Sequence, residues 1–133
     1  MNQLVKGLNE SASTIHENNK SKGFWSKGKS GQNVGELLML VVSELGEAME
    51  AHRKNKFSEP FDRFIWQEDL NEEKSIDRLN FQNYFKDTFE DEIADSVIRL
   101  LDLSAGLGID LERHINLKVA YNLSRPQLHG KLY

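Results

Sequence analysis

The sequence predicts an all-α fold, and two observations support this prediction. Only two prolines occur, Pro60 and Pro126, so long stretches contain no residue that breaks a helix. Within those stretches, apolar residues recur every three or four positions, as on one face of a helix, and do not alternate as in a strand. No internal repeat is present, and 133 residues fit one domain over residues 1–133.

Four main helices are expected. The first covers about residues 2–19, with its apolar face formed by Leu4, Leu8, Ala12 and Ile15. Residues 20–33 are rich in glycine, serine and lysine, which predicts a loop. The second and third helices, about residues 34–54 and 87–105, form the core pair.

An irregular insertion with short helical pieces is predicted between that pair, over residues 55–86, because its aromatic and charged residues follow no clear period. The fourth helix spans about residues 110–124. Asp110 is its expected N-cap, and Pro126 ends it because the residue before a proline is disfavoured in helical geometry.

Composition excludes several classes of function. A net charge of −4 argues against binding a nucleic acid polymer, which normally requires a basic face. The absence of cysteine excludes thiolate metal sites and disulfides. No apolar run is long enough to span a membrane and the N-terminus resembles no signal peptide, so a cytoplasmic location is expected.

Glu44 occupies an unusual position in the second helix. In helical projection it lies within the apolar arc formed by Leu37, Leu40, Val41, Leu45, Ala48 and Met49. Glu47 lies at the edge of that arc. A buried ionised carboxylate is costly unless it has a cation, a hydrogen-bonding partner or a raised pKa. A bound metal ion is the simplest of these solutions.

The third helix carries a second carboxylate pair. Its expected core face comprises Ile93, Ala94, Val97, Ile98, Leu100 and Leu101. Its opposite edge carries Asp91, Glu92, Asp95 and Asp102, offset only by Arg99. Two adjacent helices, each with carboxylates three residues apart, can supply four oxygen ligands to Mg²⁺ or Mn²⁺. The residues alone leave open an ordinary solvated acidic face, on which the same spacing is common.

The two acidic motifs resemble those of the MazG-like nucleoside triphosphate pyrophosphohydrolases, written E-E-x-x-E followed by E-x-x-D. The matching segments are Ser43-Glu44-Leu45-Gly46-Glu47-Ala48 and Asp91-Glu92-Ile93-Ala94-Asp95-Ser96-Val97. Ser43 replaces the first glutamate of the pattern. The resemblance continues through residues 106–112 and 118–126, and covers about two-thirds of the chain.

The resemblance implies a MazG-like bundle of four main helices that hydrolyses a nucleoside or deoxynucleoside triphosphate to the monophosphate and pyrophosphate. Glu44, Glu47, Glu92 and Asp95 would hold Mg²⁺, or alternatively Mn²⁺. Water would be the nucleophile, and Glu47 is our candidate for the general base.

The fourth helix carries candidate substrate contacts. Lys118, Tyr121, Asn122 and Arg125 follow helical spacing and share one face, and the resemblance assigns them to substrate binding. Trp25, beside Phe24 in the loop, is a candidate wall for the base. The alternatives are a solvated helix face for the first group and core packing for the two aromatic residues.

Three other interpretations fit parts of the sequence. The segment Gly23-Phe24-Trp25-Ser26-Lys27-Gly28-Lys29-Ser30 matches the letters of a P-loop, but no buried strand precedes it and no helix follows at once. A di-iron bundle would require Glu-x-x-His pairs, which the sequence lacks. A non-catalytic helical binding or regulatory module, with the acidic residues as a solvated face, remains the alternative to an enzyme.

The long helices also predict self-association. Each has an apolar arc wider than the stripe a surface helix needs, so each must be covered on two sides. A symmetric homodimer, or a homotetramer, would provide that cover.

Overall fold

The computed structural model describes residues 3–59 and 78–131. Over these residues the chain forms five α-helices, two 3₁₀ turns at Lys29–Gly31 and Gln127–Gly130, and no β-strand. The helices are α1 (Leu8–Ser21), α2 (Val34–Arg53), α3 (Arg78–Tyr84), α4 (Phe89–Gly106) and α5 (Leu111–Leu123). The all-α prediction is confirmed for this part of the chain, in which no helix is long and apolar enough to cross a membrane.

The predicted helices at residues 34–54, 87–105 and 110–124 agree with α2, α4 and α5 to within two residues at each end. Asp110 is the N-cap of α5, since its side chain accepts a hydrogen bond from the Arg113 amide. In the predicted insertion, α3 is a short helical piece. Residues 60–77, including Phe61, Phe64 and Trp66, lie outside the described residues.

The predicted start of the first helix was wrong, because α1 begins only at Leu8. The Asn116 side chain accepts hydrogen bonds from the amides of Leu4 and Val5, which takes these residues out of a helical pattern. Gly7 follows with φ 74°, a left-handed conformation that glycine adopts without strain. The Glu112 carboxylate then accepts from the Leu8 amide at 2.8 Å and caps the new helix start.

The chain divides into two compact units. The terminal unit comprises Met1–Asn33 and Leu100–Tyr133, and the central unit comprises Val34–Arg99. Helix α4 contributes residues to both.

Polar contacts join α1 to α5 in the terminal unit. Asn116 accepts from the N-terminal amides and donates to the Val5 carbonyl, and Asn9 donates to Asp110 at 2.7 Å. The buried apolar residues of this unit include Ala12, Leu101 and Leu103. Directional hydrogen bonds therefore supplement a small apolar core here.

The central unit packs small residues of α2 around a few larger side chains. Its buried apolar residues include Val41, Ala48, Ala51 and Phe85. His52, Phe57 and Phe89 meet edge-to-face, with ring centroids 5.3–5.9 Å apart. These contacts connect the end of α2 with the start of α4.

Five of the six residues of the predicted core face of α4 are exposed in the single chain, and Leu101 is buried as predicted. Ile93, Val97, Ile98 and Leu100 are 40–48% exposed, whereas Glu92 is buried at 4%. Ser96, one helical turn later, is also buried. In the central unit, α4 thus turns a polar face inward, because that face meets the carboxylates of α2. Leu45 and Met49 of the predicted α2 arc are also exposed.

Candidate metal site in the central unit

Helix α2 positions the first two predicted ligands. Glu44 and Glu47 lie three residues apart, so their side chains emerge on neighbouring turns of the same face. Glu44 is 8% exposed, as expected for a carboxylate within the apolar arc. Glu47 is exposed. One carboxylate is therefore buried while the other contacts solvent.

Helix α4 positions Glu92 and Asp95, and its start is fixed by local capping. Thr88 is buried and accepts a hydrogen bond from the Asp91 amide. In return the Asp91 carboxylate accepts from the Asp87 amide at 2.9 Å. These two hydrogen bonds hold the N-terminal end of α4 and set its register. Glu92 follows one residue later, which places it toward the interior.

Three of the four predicted ligands converge. Carboxylate oxygens of Glu44, Glu47 and Glu92 lie within 4.8 Å of one another. Oxygens around one Mg²⁺ are roughly 3–4 Å apart, given ligand distances of about 2.1 Å, so a small side-chain movement would close the group on an ion. Asp95 is not a member of this trio, although it lines the same cavity. The donor set suits a hard divalent cation.

The electrostatics of Glu92 show how poorly this cluster is compensated. Burial, the Glu47 charge and the hydrogen bond and charge of Glu44 raise the pKa of Glu92 to about 7. Burial, followed by the charges of Asp91 and Glu44, also raises the pKa of Asp95, while Arg99 acts in the opposite direction. A bound divalent cation would relieve both effects, since it favours the ionised carboxylates.

Glu44 has a protein partner that the sequence did not identify. The Arg99 Nε donates to Glu44 Oε1 at 2.6 Å. The Glu44 side chain is 11% exposed and that of Arg99 is 41% exposed. Arg99 therefore supplies Glu44 with a cation that the prediction of a metal ion did not include. Arg99 lies one turn after Asp95, on the inward face of α4, and this spacing is the signal that could have identified it.

Asp87, Asp91 and Glu92 form a second acidic group of similar dimensions. The Asp91 carboxylate already accepts a backbone hydrogen bond, and Asp87 pairs with Lys86 at 2.7 Å. Helix capping and an exposed ion pair account for two of its three members. This group therefore carries no separate site.

A cavity of about 380 Å³ opens onto the trio. Its acidic wall is formed by Glu44, Glu47, Asp87, Asp91, Glu92 and Asp95. Its remaining lining residues are Arg78, Phe81, Gln82 and Lys86. Sequence reasoning did not identify these four residues, because they belong to the insertion, where no apolar period indicates which side chains point inward.

The predicted substrate residues of α5 lie in the terminal unit. Lys118 and Arg125 both approach the Tyr121 ring, at 5.2 and 5.6 Å from its centroid, which confirms that the three share a face. The Asn122 Oδ1 is buried, and no hydrogen-bond donor contacts it within the described part of the chain. A buried acceptor without a donor is uncommon and favours a ligand hydroxyl or amino group, or a water, as its partner.

Trp25 also lies in the terminal unit, where it is half-buried. Its Nε1 donates to Asp102 Oδ2 at 3.0 Å, and its ring meets His16 edge-to-face at 4.9 Å. The ring lies directly on Gly106, where a Cβ would overlap it. Packing thus explains part of the position of Trp25, and its role as a wall for the nucleotide base stays a prediction.

The P-loop interpretation is excluded by its surroundings. The segment follows helix α1 instead of a strand, and Lys29 donates to the Leu107 carbonyl just after the end of α4.

No protein-family model, no curated protein and no solved structure matches the chain. Support for a function therefore comes from the geometry of the site and from the motif resemblance.

Proposed function

We propose that the protein hydrolyses a nucleoside or deoxynucleoside triphosphate to the monophosphate and pyrophosphate, in a magnesium-dependent reaction. The observation that supports this most strongly is the convergence of Glu44, Glu47 and Glu92 oxygens within 4.8 Å, on a cavity also lined by Asp95. The spacing of these residues resembles the MazG-like motif. The proposal includes a MazG-like arrangement of the four main helices.

Glu44, Glu47, Glu92 and Asp95 would hold the ion, with Mn²⁺ as an acceptable substitute. When bound, Mg²⁺ screens phosphate charge and lowers the pKa of a coordinated water. Arg99 remains close enough to Glu44 to balance part of the acidic charge. The buried carboxylates of Glu44 and Glu92 orient the site, and the exposed carboxylate of Glu47 contacts solvent.

Glu47 is the proposed general base because it is the exposed member of the trio. In the proposed step, a water oxygen forms a bond to the α-phosphorus as the bond from that phosphorus to the bridging oxygen breaks. The electron pair leaves with pyrophosphate, and the proton of the water passes to the Glu47 carboxylate. The products are the monophosphate and pyrophosphate.

Pyrophosphate release from a panel of ribo- and deoxynucleoside triphosphates, with Mg²⁺ and with EDTA, tests the proposal. We expect metal-dependent release in wild type. The matched control is Glu50→Gln, which removes an exposed carboxylate from the same helix, outside the cavity. Absence of pyrophosphate release from every nucleotide would favour the non-catalytic binding module.

Substrate contacts at Lys118, Tyr121, Asn122, Arg125 and Trp25 are part of the proposal. The shared face of Lys118, Tyr121 and Arg125 supports it, as does the buried Asn122 Oδ1. Alanine at Asn122 is expected to raise KM more than it lowers kcat, because a binding contact is lost. Unchanged KM values in both Asn122→Ala and Arg125→Ala would remove α5 from the substrate site.

Self-association is also proposed, with a homodimer as the minimum and a homotetramer as the larger form. In the single chain, α2 exposes Leu38, Met39, Val42, Leu45 and Met49, and α4 exposes Ile93 and Val97. Such an apolar surface is typical of an interface, and a second copy of this chain is the proposed occupant. Sedimentation at low micromolar concentration tests this, and a fully active monomer would contradict it.

A further inference from the structure

Helix α3 presents one side to the cavity that contains the candidate metal site. Arg78, Phe81 and Gln82 follow helical spacing, and Lys86 continues that side just beyond the helix end. Phe85 is buried at 6%, and the Glu59 amide donates to the Tyr84 carbonyl. Both features fix the end of α3 within the central unit, so the cavity-lining side chains project from a fixed backbone.

The cavity is lined by two cations as well as by carboxylates. Arg78 lies on α3, and Lys86 lies beside Asp87 in the turn between α3 and α4. Arg78 makes no ion pair with any residue in the described ranges 3–59 and 78–131. Its guanidinium is therefore available to a ligand.

Lys86 is paired, but the pair is easily exchanged. Its Nζ contacts the Asp87 carboxylate at 2.7 and 2.8 Å. The two side chains are 50% and 58% exposed, and such exposed pairs contribute little to stability. The lysine can thus turn from Asp87 to an anionic ligand at little cost.

A polyphosphate in this cavity requires more positive charge than one divalent cation supplies. The trio and Asp95 together offer enough carboxylates to neutralise a bound divalent ion. The phosphate oxygens would then need protein cations. A guanidinium can bind two phosphate oxygens at once, and an ammonium acts as a point charge.

We infer that α3 forms the phosphate-binding wall of the cavity, with Arg78 and Lys86 holding the two phosphates that leave as pyrophosphate. The identity of the ligand rests on the proposed function. Gln82 lies between the two cations in sequence and supplies an amide donor to the same wall. The volume of about 380 Å³ is within the range of small-molecule sites.

Calorimetric titration of the full chain with magnesium pyrophosphate tests this inference separately from catalysis. Arg78→Gln and Lys86→Gln should each weaken binding about tenfold to a hundredfold, the usual scale for a lost charged hydrogen bond. Lys86→Arg, which keeps the positive charge, should retain most of the wild-type affinity for magnesium pyrophosphate. Mn²⁺ affinity without pyrophosphate should not fall in either variant, because neither residue is a metal ligand.

The controls are Arg53→Gln and Lys54→Gln, which remove exposed, ion-paired cations at the end of α2, outside the cavity. Variants that bind pyrophosphate as tightly as these controls would overturn the inference and leave the proposed function standing. A wild type that fails to bind magnesium pyrophosphate would also overturn it. Weakened binding in the α3 variants, with no turnover of any nucleotide by wild type, would support the wall and overturn the hydrolase.

Discussion

Helix α4 carries two largely buried carboxylates with opposite surroundings, Asp102 in the terminal unit and Glu92 in the central unit. Asp102 accepts a hydrogen bond from the Trp25 indole at 3.0 Å, and His16 Nδ1 lies 2.7 Å from its other oxygen. Glu92 instead faces Glu44 and Glu47, and the pKa of Glu92 is raised to about 7. Burial alone therefore does not identify a functional acid.

Asp102 and Glu92 differ in the groups that surround their carboxylates. The Trp25 indole and the His16 imidazole contact both oxygens of Asp102, so this residue has a complete structural explanation within the protein. Glu92 has acidic neighbours, and its surroundings become favourable only when it is protonated or when a cation is supplied. The proposed metal-binding role therefore falls to Glu92 in the central unit, whereas packing explains Asp102.

The largest expected effect is the loss of turnover when a proposed ligand is neutralised. Glu47→Gln and Asp95→Asn should each reduce turnover by at least about two orders of magnitude, as is usual for a lost catalytic group or metal ligand. The fold should persist, since neither residue belongs to the apolar core. Steady-state pyrophosphate release and circular dichroism check both points, and near-normal turnover would remove the residue from the site.

The next effect is a pH dependence of stability in the metal-free protein. The folded-state pKa of Glu92, about 7, is above its ordinary value of 4.5, so the folded chain binds more protons between these values. Stability should therefore fall as the pH rises through that window, by on the order of 2 kcal/mol. Urea unfolding in EDTA from pH 5 to 8 measures this.

Glu92→Gln is the control for that dependence, because the amide does not titrate. The variant should lose the component of the pH dependence that belongs to Glu92 and be more stable than wild type at pH 8. Identical pH profiles for the two proteins would mean that Glu92 is compensated in solution.

A smaller effect distinguishes the two members of the Arg99–Glu44 pair. Arg99→Gln leaves a buried carboxylate without its cation and should destabilise the metal-free protein by about 1–2 kcal/mol. Glu44→Gln should be neutral or stabilising, because the partly exposed guanidinium can turn to solvent. Urea unfolding in EDTA compares them, and a larger loss for Glu44→Gln would show that Glu44 has a structural role.

The positions of the long helices could be predicted because local signals fixed them. Apolar periodicity located α2 and α4, and the Asp110 cap with Pro126 bracketed α5. The start of α1 could not be predicted, since it depends on hydrogen bonds from Asn116 and Glu112, which are distant in sequence. Residue spacing does not reveal such long-range capping.

The candidate site could be predicted only in part, because local spacing indicates some of its residues and tertiary contacts determine the others. The i, i+3 spacing and the motif resemblance indicated which carboxylates to examine, and the structure brings Glu44, Glu47 and Glu92 together. Helical projection assigned Glu92 to the outer edge of α4, because an apolar scale cannot anticipate a polar face that packs on other carboxylates. The presence of Arg99 and of the α3 residues in the site likewise depends on tertiary contacts.

Titration with Mn²⁺, followed by electron paramagnetic resonance, tests the proposed metal site when wild type is compared with Glu92→Gln and Asp102→Asn. We expect Mn²⁺ binding in wild type, an affinity lowered at least about tenfold in Glu92→Gln, and no more than a small change in Asp102→Asn. No binding by wild type, or equal losses in the two variants, would contradict the assignment of the metal site to the central unit.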